Sequence, residues 1–497
     1  MSSIPQILRM ARAGNPVRAM QMFENAGLDL ERGDARALTL KGRLLKDQAK
    51  QLSGAARRDA FVQAANAYQA AHQQAPSTYP LINAATLALL AGDEGHSQVL
   101  ANQVLELLRQ DPDEGETPYW REATRAEALL LLRREQAAQD ALGDAIAKLP
   151  DAHEDLAATI GQFERILDLR GGETAWLERF RPPCSLHFSG LIGLDPRASG
   201  LGEGIAQALD AQQPGYVFGA LAAGADIMIA EAALERGARL HVHLPRPVAD
   251  FRALSVERFG ADWAGRFDDL IHEAEEVDVL APSPGREQTG FPLEIEMSTL
   301  AAMGWCLRKA GTLHSKAHAL SIGAKGEAVR PHLRQWQRAG QLFILLETRR
   351  KTDAALPQSN LEDTVPASRV GGLLAFEGAD CDADQAALEA GLSRVEAGSR
   401  SVYAGQAGAC IEAISALQQT MPEVRSGLLI DAFDCLNLSK AVIERVQRLS
   451  QSVDGGGCFT DRASALIAHV VAPDISLEEL GELRSLEGPV PLWSVSA

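Results

Sequence analysis

Two short apolar runs, "GYVFGAL" (215–221) and "ARLHVHLP" (238–245), flank one amphipathic stretch, and this arrangement restricts the fold more than any other feature. In "ADIMIAEAALERGA", Ile227, Ala230, Leu234 and Ala238 recur at spacings of three and four, which makes one helical face. A crossover of this length between two strands demands a parallel, right-handed βαβ unit. Gly219 and Gly224 flank the turn, where a missing Cβ lets backbone approach a ligand, and the amides of Ala225 and Asp226 open the helix toward an anion. The same residues also suit a plain tight turn with Asp226 as the helix cap. The turn alone leaves both readings open.

The surrounding sequence repeats the pattern. Strand candidates are "SLHFSG", "GYVFGAL", "ARLHVHLP", "EVDVLAP", "AHALSIGA" and "QLFILLE", alternating with helical stretches, so residues 182–350 read as a doubly wound α/β Rossmann-like domain. Three strand ends carry glycine turns: "FSGLIG", "GALAAGAD" and "IGAKGEAV". Turns at the carboxyl edge of one sheet converge on the crevice where ligands bind in such folds. A valine at Gly224 is accordingly expected to weaken ligand binding more than stability.

Residues 1–178 are different in texture, being rich in Ala, Leu, Gln, Arg and Glu with almost no β-branched runs. Paired helical segments recur, such as "RRDAFVQAANAYQAAHQQAP" with "TYPLINAATLALLAGD". Small residues at Ala64, Ala67 and Ala85 permit close helix approach. This is all-α helical-repeat chemistry of irregular period, with a non-repetitive bundle as the alternative. Residues 351–368, polar with two prolines, read as a linker. Residues 369–497 combine the strands "VGGLLAFEGA", "RSVYAG", "RSGLLIDAF" and "PLWSV" with the helices "DQAALEAGLSRVEA", "QAGACIEAISALQQT" and "LSKAVIERVQRLSQ", an α+β arrangement.

A length of 497 residues allows several cores, and a net charge of −18 argues against nucleic acid or an anionic membrane as partner. No apolar run reaches the roughly 18–20 residues that cross a bilayer, and "MSSIPQILRMARAGN" has no signal-peptide core, so a cytoplasmic location is expected. Six scattered cysteines without a CxxC pair fit buried, reduced thiols rather than a metal site. His314 and His318, four apart, and His241 and His243, alternating on a strand, suit packing, as does Arg246 a solvated strand end; a metal, the crevice and a phosphate are their respective alternatives.

Three resemblances add to this reading. Residues 41–93, "KGRLLKD…LLAGD", resemble the TRAFs-binding-type tetratricopeptide region of certain MAP3K kinases and bacterial multidomain proteins, which implies a scaffold for an unknown protein partner. The order "FSG", "GALAAGADIMIAEAALERGARLHVHLP" and "IGAKGEAVRPHLRQWQRAG" resembles the SLOG superfamily of nucleotide-binding domains related to DprA and LOG proteins. That resemblance implies a pocket lined by Ser189, Gly190, Gly219, Gly224, Asp226 and Gly323. The third loop lacks the GG and Thr of the LOG motif PGGxGTxxE, which implies binding of a nucleotide-derived ligand rather than phosphoribosyl hydrolysis. The last part resembles a class III nucleotide cyclase domain. Glu377 then stands at the first metal aspartate, Ser399 at the second, and Thr460 and Ser464 at the Asn and Arg positions. Such replacements imply an inactive cyclase fold without metals, free to pair as a homodimer.

The expected molecule is thus a regulatory or signalling protein that binds rather than turns over a nucleotide-derived ligand, with no cofactor indicated with certainty. A nucleotide hydrolase using His187, Asp226 or Glu231 as acid or base, and a pure scaffold, are the rival readings.

Overall fold

The computed structural model describes residues 4–12, 16–28, 34–50, 52–110, 117–194, 200–281, 283, 291–349, 368–376, 381–396, 401–421, 423–434, 438–452, 456–485 and 488–496. The chain parts into two compact units: Met1–Pro182 with Thr312–His314, and Pro183–Gly311 with Ser315–Ala497.

The first unit is helical. Its described helices are α1 (Ile4–Arg12), α2 (Pro16–Asn25), α3 (Ala35–Ala49), α4 (Gly54–Gln74), α5 (Thr78–Leu90), α6 (Glu94–Gln110), α7 (Pro118–Leu131), α8 (Glu135–Lys148) and α9 (His153–Arg170). Their ends follow local chemistry. Asp34 accepts the Arg36 amide (2.8 Å) before α3, Thr117 accepts the Trp120 amide (3.2 Å) before Pro118 opens α7, and Gly171 closes α9 at φ +60°. Small residues let neighbouring helices touch: Ala64 and Ala85 are fully buried, and a Cβ at Gly42 would lie 2.7 Å from the Tyr68 ring, which α4 lays against α3.

The second unit holds two sheets. The first is six-stranded and parallel, in the order β4-β3-β2-β1-β5-β6, formed by β1 (Ser185–Ser189), β2 (Tyr216–Gly219), β3 (Arg239–Leu244), β4 (Glu276–Val279), β5 (Ala317–Ala324) and β6 (Leu342–Thr348). The crossovers carry α10 (Leu201–Gln212), α11 (Ala225–Leu234), α12 (Val248–Ser255), α13 (Ala261–Glu273), α14 (Phe291–Thr312) and α15 (Pro331–Arg338). β1 to β3 are almost wholly buried, with serines and histidines of β1 and β3 enclosed among their apolar residues. Chain order reverses between β1 and β5, so the switch point of the sheet lies at their carboxyl ends.

The second sheet is mixed and seven-stranded, in the order β12-β13-β11-β10-β7-β9-β8. Its strands are β7 (Ser368–Phe376), β8 (Ser393–Glu396), β9 (Val402–Gly405), β10 (Arg425–Asp434), β11 (Gly457–Asp461), β12 (Ser476–Ser485) and β13 (Gly488–Ser496). Helices α16 (Cys381–Glu389), α17 (Ala407–Thr420), α18 (Lys440–Leu449) and α19 (Arg462–Val471) accompany them. The helix expected over "DQAALEAGLSRVEA" stops at Glu389. Gly391, at φ +82°, turns the chain, and "SRVE" becomes β8 because it pairs with β9. All but Ser368 of the expected linker lies outside the described residues.

The two sheets meet through α14. A Cβ at Gly304 would collide with the Leu466 carbonyl of α19, Trp305 packs edge-on to Trp493 of β13 (6.1 Å), and Arg308 donates to the Leu477 carbonyl (3.0 Å). Cys184, Cys306, Cys410 and Cys458 are free and buried. Among the described residues no helix is long and apolar enough to cross a membrane.

Candidate functional site

A cavity of about 170 Å³ opens at the carboxyl ends of β1, β2 and β3. The end of β1 contributes His187 and Ser189, the following loop Gly190 to Ile192, the turn after β2 Ala220 and Ala222, and β3 His243. Asp226 reaches in from the first turn of α11, and Arg330 comes from the segment after β5. Ser189 and Ser321, paired in register across β1 and β5, bring their hydroxyls to 3.3 Å at the switch point.

The polar atoms here are unusual for a buried place. Asp226 Oδ2 accepts the Ala222 amide (3.3 Å), whereas its Oδ1 has no hydrogen-bond partner among the described residues. Burial pushes this carboxyl up to about 7, against the opposing pull of Arg330 and of the Ala222 and Gly190 amides. Both ring nitrogens of His187 and Nε2 of His243 also lack hydrogen-bond partners among the described residues. Burial first, then nearby His332, lowers His187 to about 3 against the opposing pull of the Phe218 backbone, so at neutral pH it is an uncharged ring. Arg330 is exposed and is the cation among the residues lining the cavity.

Of the residues expected to hold a ligand, Ser189, Gly190 and Asp226 line the cavity, and Gly219, Gly224, Ala225 and Gly323 do not. Gly224 sits at φ +124° under the β1 loop, where a Cβ would lie 2.6 Å from the Leu191 carbonyl. The Ala225 amide donates to that same carbonyl (3.0 Å), and Gly193 donates to Ala223 (2.7 Å). Backbone of the β1 loop thus occupies the place beside Gly224 and Ala225 where sequence suggested an anion. Gly190 and Gly219 are close-packing positions, against the Ala225 side chain and the Phe188 carbonyl. At Gly323 only a Leu345 methyl comes near, at 3.3 Å.

His241 and His243 face one side of the sheet, as their alternation requires. His241 stacks on Phe218 (4.7 Å), while His243 reaches the cavity with its Nδ1 3.6 Å from Asp278, which in turn pairs with Arg462 at the start of α19 (2.5 Å). His314 and His318 do not share a helix: the first lies in a turn, 3.4 Å from Glu164, and the second is on β5. Among the described residues no cluster of three His, Cys, Asp or Glu side chains could hold a metal. Arg246 forks onto Glu294, and Glu231 pairs with Arg266 away from the cavity. Sequence reasoning passed over Arg330, although "VRPH" follows a glycine turn. It also missed Ser298 and Thr299, because nothing local says that α14 crosses the sheet edge.

In the mixed sheet, Glu377 and Ser399 lie outside the described residues. Thr460 donates to the Leu428 carbonyl (2.8 Å). Ser464 accepts the Ile430 amide (2.9 Å) just beyond the point where β11 stops pairing with β10. Its hydroxyl completes the strand edge. Ser464→Ala is expected to cost about 1–3 kcal/mol by orphaning that buried amide, and chemical denaturation measures it; an unchanged midpoint would refute the assignment.

Residues 6–88 match the family model of Tetratricopeptide Repeats-Sensor. No curated protein matches the chain. Among solved structures, an adenylate/guanylate cyclase/hydrolase from Silicibacter pomeroyi aligns at 16% identity and TM-score 0.21, over 26% of this chain and 98% of its own. A point mutant of the Thermobaculum terrenum O-GlcNAc transferase aligns at 14% identity and TM-score 0.17, over 63% of this chain and 75% of its own. The chain carries a tetratricopeptide-like region, followed by mixed α/β regions with one parallel and one mixed sheet. Repeats of this kind generally mediate protein–protein interaction.

Proposed function

We propose that the protein is a cytoplasmic regulatory protein that binds a nucleotide-derived ligand at the carboxyl edge of the parallel sheet and a protein partner through its helical repeats. The mixed sheet, in this reading, is an inactive cyclase-like domain that supports pairing of two copies. One observation carries the ligand assignment: Asp226 Oδ1, both nitrogens of His187 and Nε2 of His243 are buried without partners around a single cavity. Buried polar groups are almost always satisfied, so such a set fits a ligand that satisfies it.

The volume divides the ligand. About 170 Å³ is below the roughly 300–1,000 Å³ of whole small-molecule sites, so a ring or ribose enters and the phosphates stay outside. Asp226, near 7, shares hydrogen bonds with hydroxyls or ring nitrogens without carrying a full charge. Arg330 then meets the phosphate as a planar fork, in place of the α11 amides.

Calorimetric titration with ADP-ribose and cyclic dinucleotides tests this. Arg330→Ala is expected to weaken binding of the phosphate-bearing ligand at least about tenfold, the equivalent of one charge-assisted hydrogen bond, and to leave any affinity for adenosine unchanged. Failure of every nucleotide to bind would return the protein to the scaffold reading. A hydrolase remains the second reading because a carboxyl near 7 is matched to acid–base work at neutral pH. Product analysis separates them: turnover that vanishes in Asp226→Asn while binding persists would establish the hydrolase.

A further inference from the structure

A second concave site lies wholly within the helical unit. It is a groove of about 470 Å³ between α3, α4, α5 and α9, within the usual size range of built binding sites. Lys46 of α3 and Lys50 just past its end, Arg57 and Arg58 of α4, and Arg165 of α9 line it, against one carboxylate in the lining, Asp168. Such a concentration of cations stands out in a chain of net charge −18.

Their partners leave most of that charge unbalanced. Lys50 pairs with Asp47 (2.6 Å), but Lys46 donates to the Asn83 amide oxygen (3.0 Å) and Arg165 to that of Gln162 (3.2 Å). Arg57 lies over the Phe61 ring (5.6 Å), and neither it nor Arg58 pairs with a carboxylate among the described residues. Glu127, behind the groove, is bonded to Thr86 and Gln162; burial raises its carboxyl, and it acts together with Asp47 on Lys46 alone among these cations. Burial, followed by Lys50, lowers Lys46 to about 8. Between the cations, Phe61, Leu87, Leu90 and Leu169 supply apolar surface.

We infer that this groove docks a segment of a partner protein in which glutamate or aspartate alternates with an apolar side chain. The inference rests on the reading of the helical repeats as the partner-binding part, and not on the nucleotide cavity. A peptide is favoured over a compact phosphate by the kind of donor present. No glycine turn lines the groove; the cations are long side chains on or just past three helices, mixed with two amide side chains and apolar surface that suit an extended chain.

The test uses the full chain and a fluorescein-labelled peptide of repeating Glu-Glu-Leu, read by anisotropy. Binding is expected, weaker at high salt. It should fall at least about tenfold in the double variant Arg57→Glu, Arg58→Glu and in Arg165→Glu, less in the Arg57→Gln, Arg58→Gln pair, and not at all in Arg258→Glu, outside the groove. These side chains are exposed, and unchanged thermal melts would show that the fold is kept. The inference is overturned if the peptide does not bind, if a Gln-Gln-Leu peptide binds equally well, or if the charge reversals have no effect. Tighter binding of tripolyphosphate at the same residues would also overturn it, by assigning the groove to a compact anion. Because groove and cavity lie in different units, this titration and the nucleotide titration fail independently.

Discussion

Gly224→Val is expected to lower the stability of the parallel-sheet region by about 2–6 kcal/mol, the combined scale of a strained backbone and an overpacked contact. The backbone at φ +124° disfavours any side chain, and a β-branched one most. The added Cβ would also press on the Leu191 carbonyl at 2.6 Å and approach the Leu194 and Gly193 amides at 3.1 and 3.2 Å. Those are backbone atoms of a loop held by the Gly193–Ala223 and Ala225–Leu191 hydrogen bonds, so they have little room to yield. The sequence led to the opposite emphasis, a loss of ligand with the fold intact. Gly323→Ala serves as the contrast, because only a leucine methyl stands near. Urea denaturation of the two variants decides it. A wild-type midpoint for Gly224→Val would mean that the β1 loop does not cover this turn.

Asp226→Asn is expected to stabilise the protein above pH 7 and to leave it unchanged near pH 4. Folding raises the carboxyl from 3.8 to about 7, chiefly by burial, so between these values the native state holds more protons than the unfolded chain. Stability then falls as pH rises through that window and stays reduced above it. The full difference corresponds to about 4 kcal/mol, an upper bound that asparagine removes while still accepting the Ala222 amide. His187 acts with the opposite sign: its pKa is lowered from 6.5 to about 3, so its contribution is lost as pH falls through that interval, in wild type and variant alike. The difference between the two proteins therefore isolates Asp226. Denaturation midpoints from pH 4 to 8 measure it, and a difference independent of pH would show that Asp226 is not an unsatisfied buried acid. A residue that costs stability where it stands is a common mark of a working site.

Local chemistry alone determined a good deal of this protein. The six strands of the parallel sheet lie where short, mainly apolar runs alternate with amphipathic ones, and "AHALSIGA" coincides with β5, because a strand largely buried on both faces is mainly apolar. The helical texture of the first part was equally plain, and residues 6–88 match the tetratricopeptide model. The mixed sheet was less legible. β8 and β12 were missed because polar stretches with Ser, Arg and Glu lack the alternation of a strand, and only pairing with a neighbour makes them strands. β11, "GCFTD", was not among the expected strands although it is mostly buried, because it is only five residues long and follows a run of glycines.

At the cavity the division runs through single residues. Ser189, Gly190 and Asp226, which the SLOG resemblance implies for the pocket, line the cavity, and Asp226 also follows a glycine turn that is a local signal. Sequence could not tell a glycine that admits a ligand from one that admits another loop, since both need the same missing Cβ; the Leu191 carbonyl over Gly224 made that choice. Nor could it bring Arg330, Ser298 and His243 together from three separate parts of the chain. That juxtaposition depends on the order of strands in the sheet and on helices crossing its edge, and these are settled by long-range packing, which leaves no periodic trace in the chain.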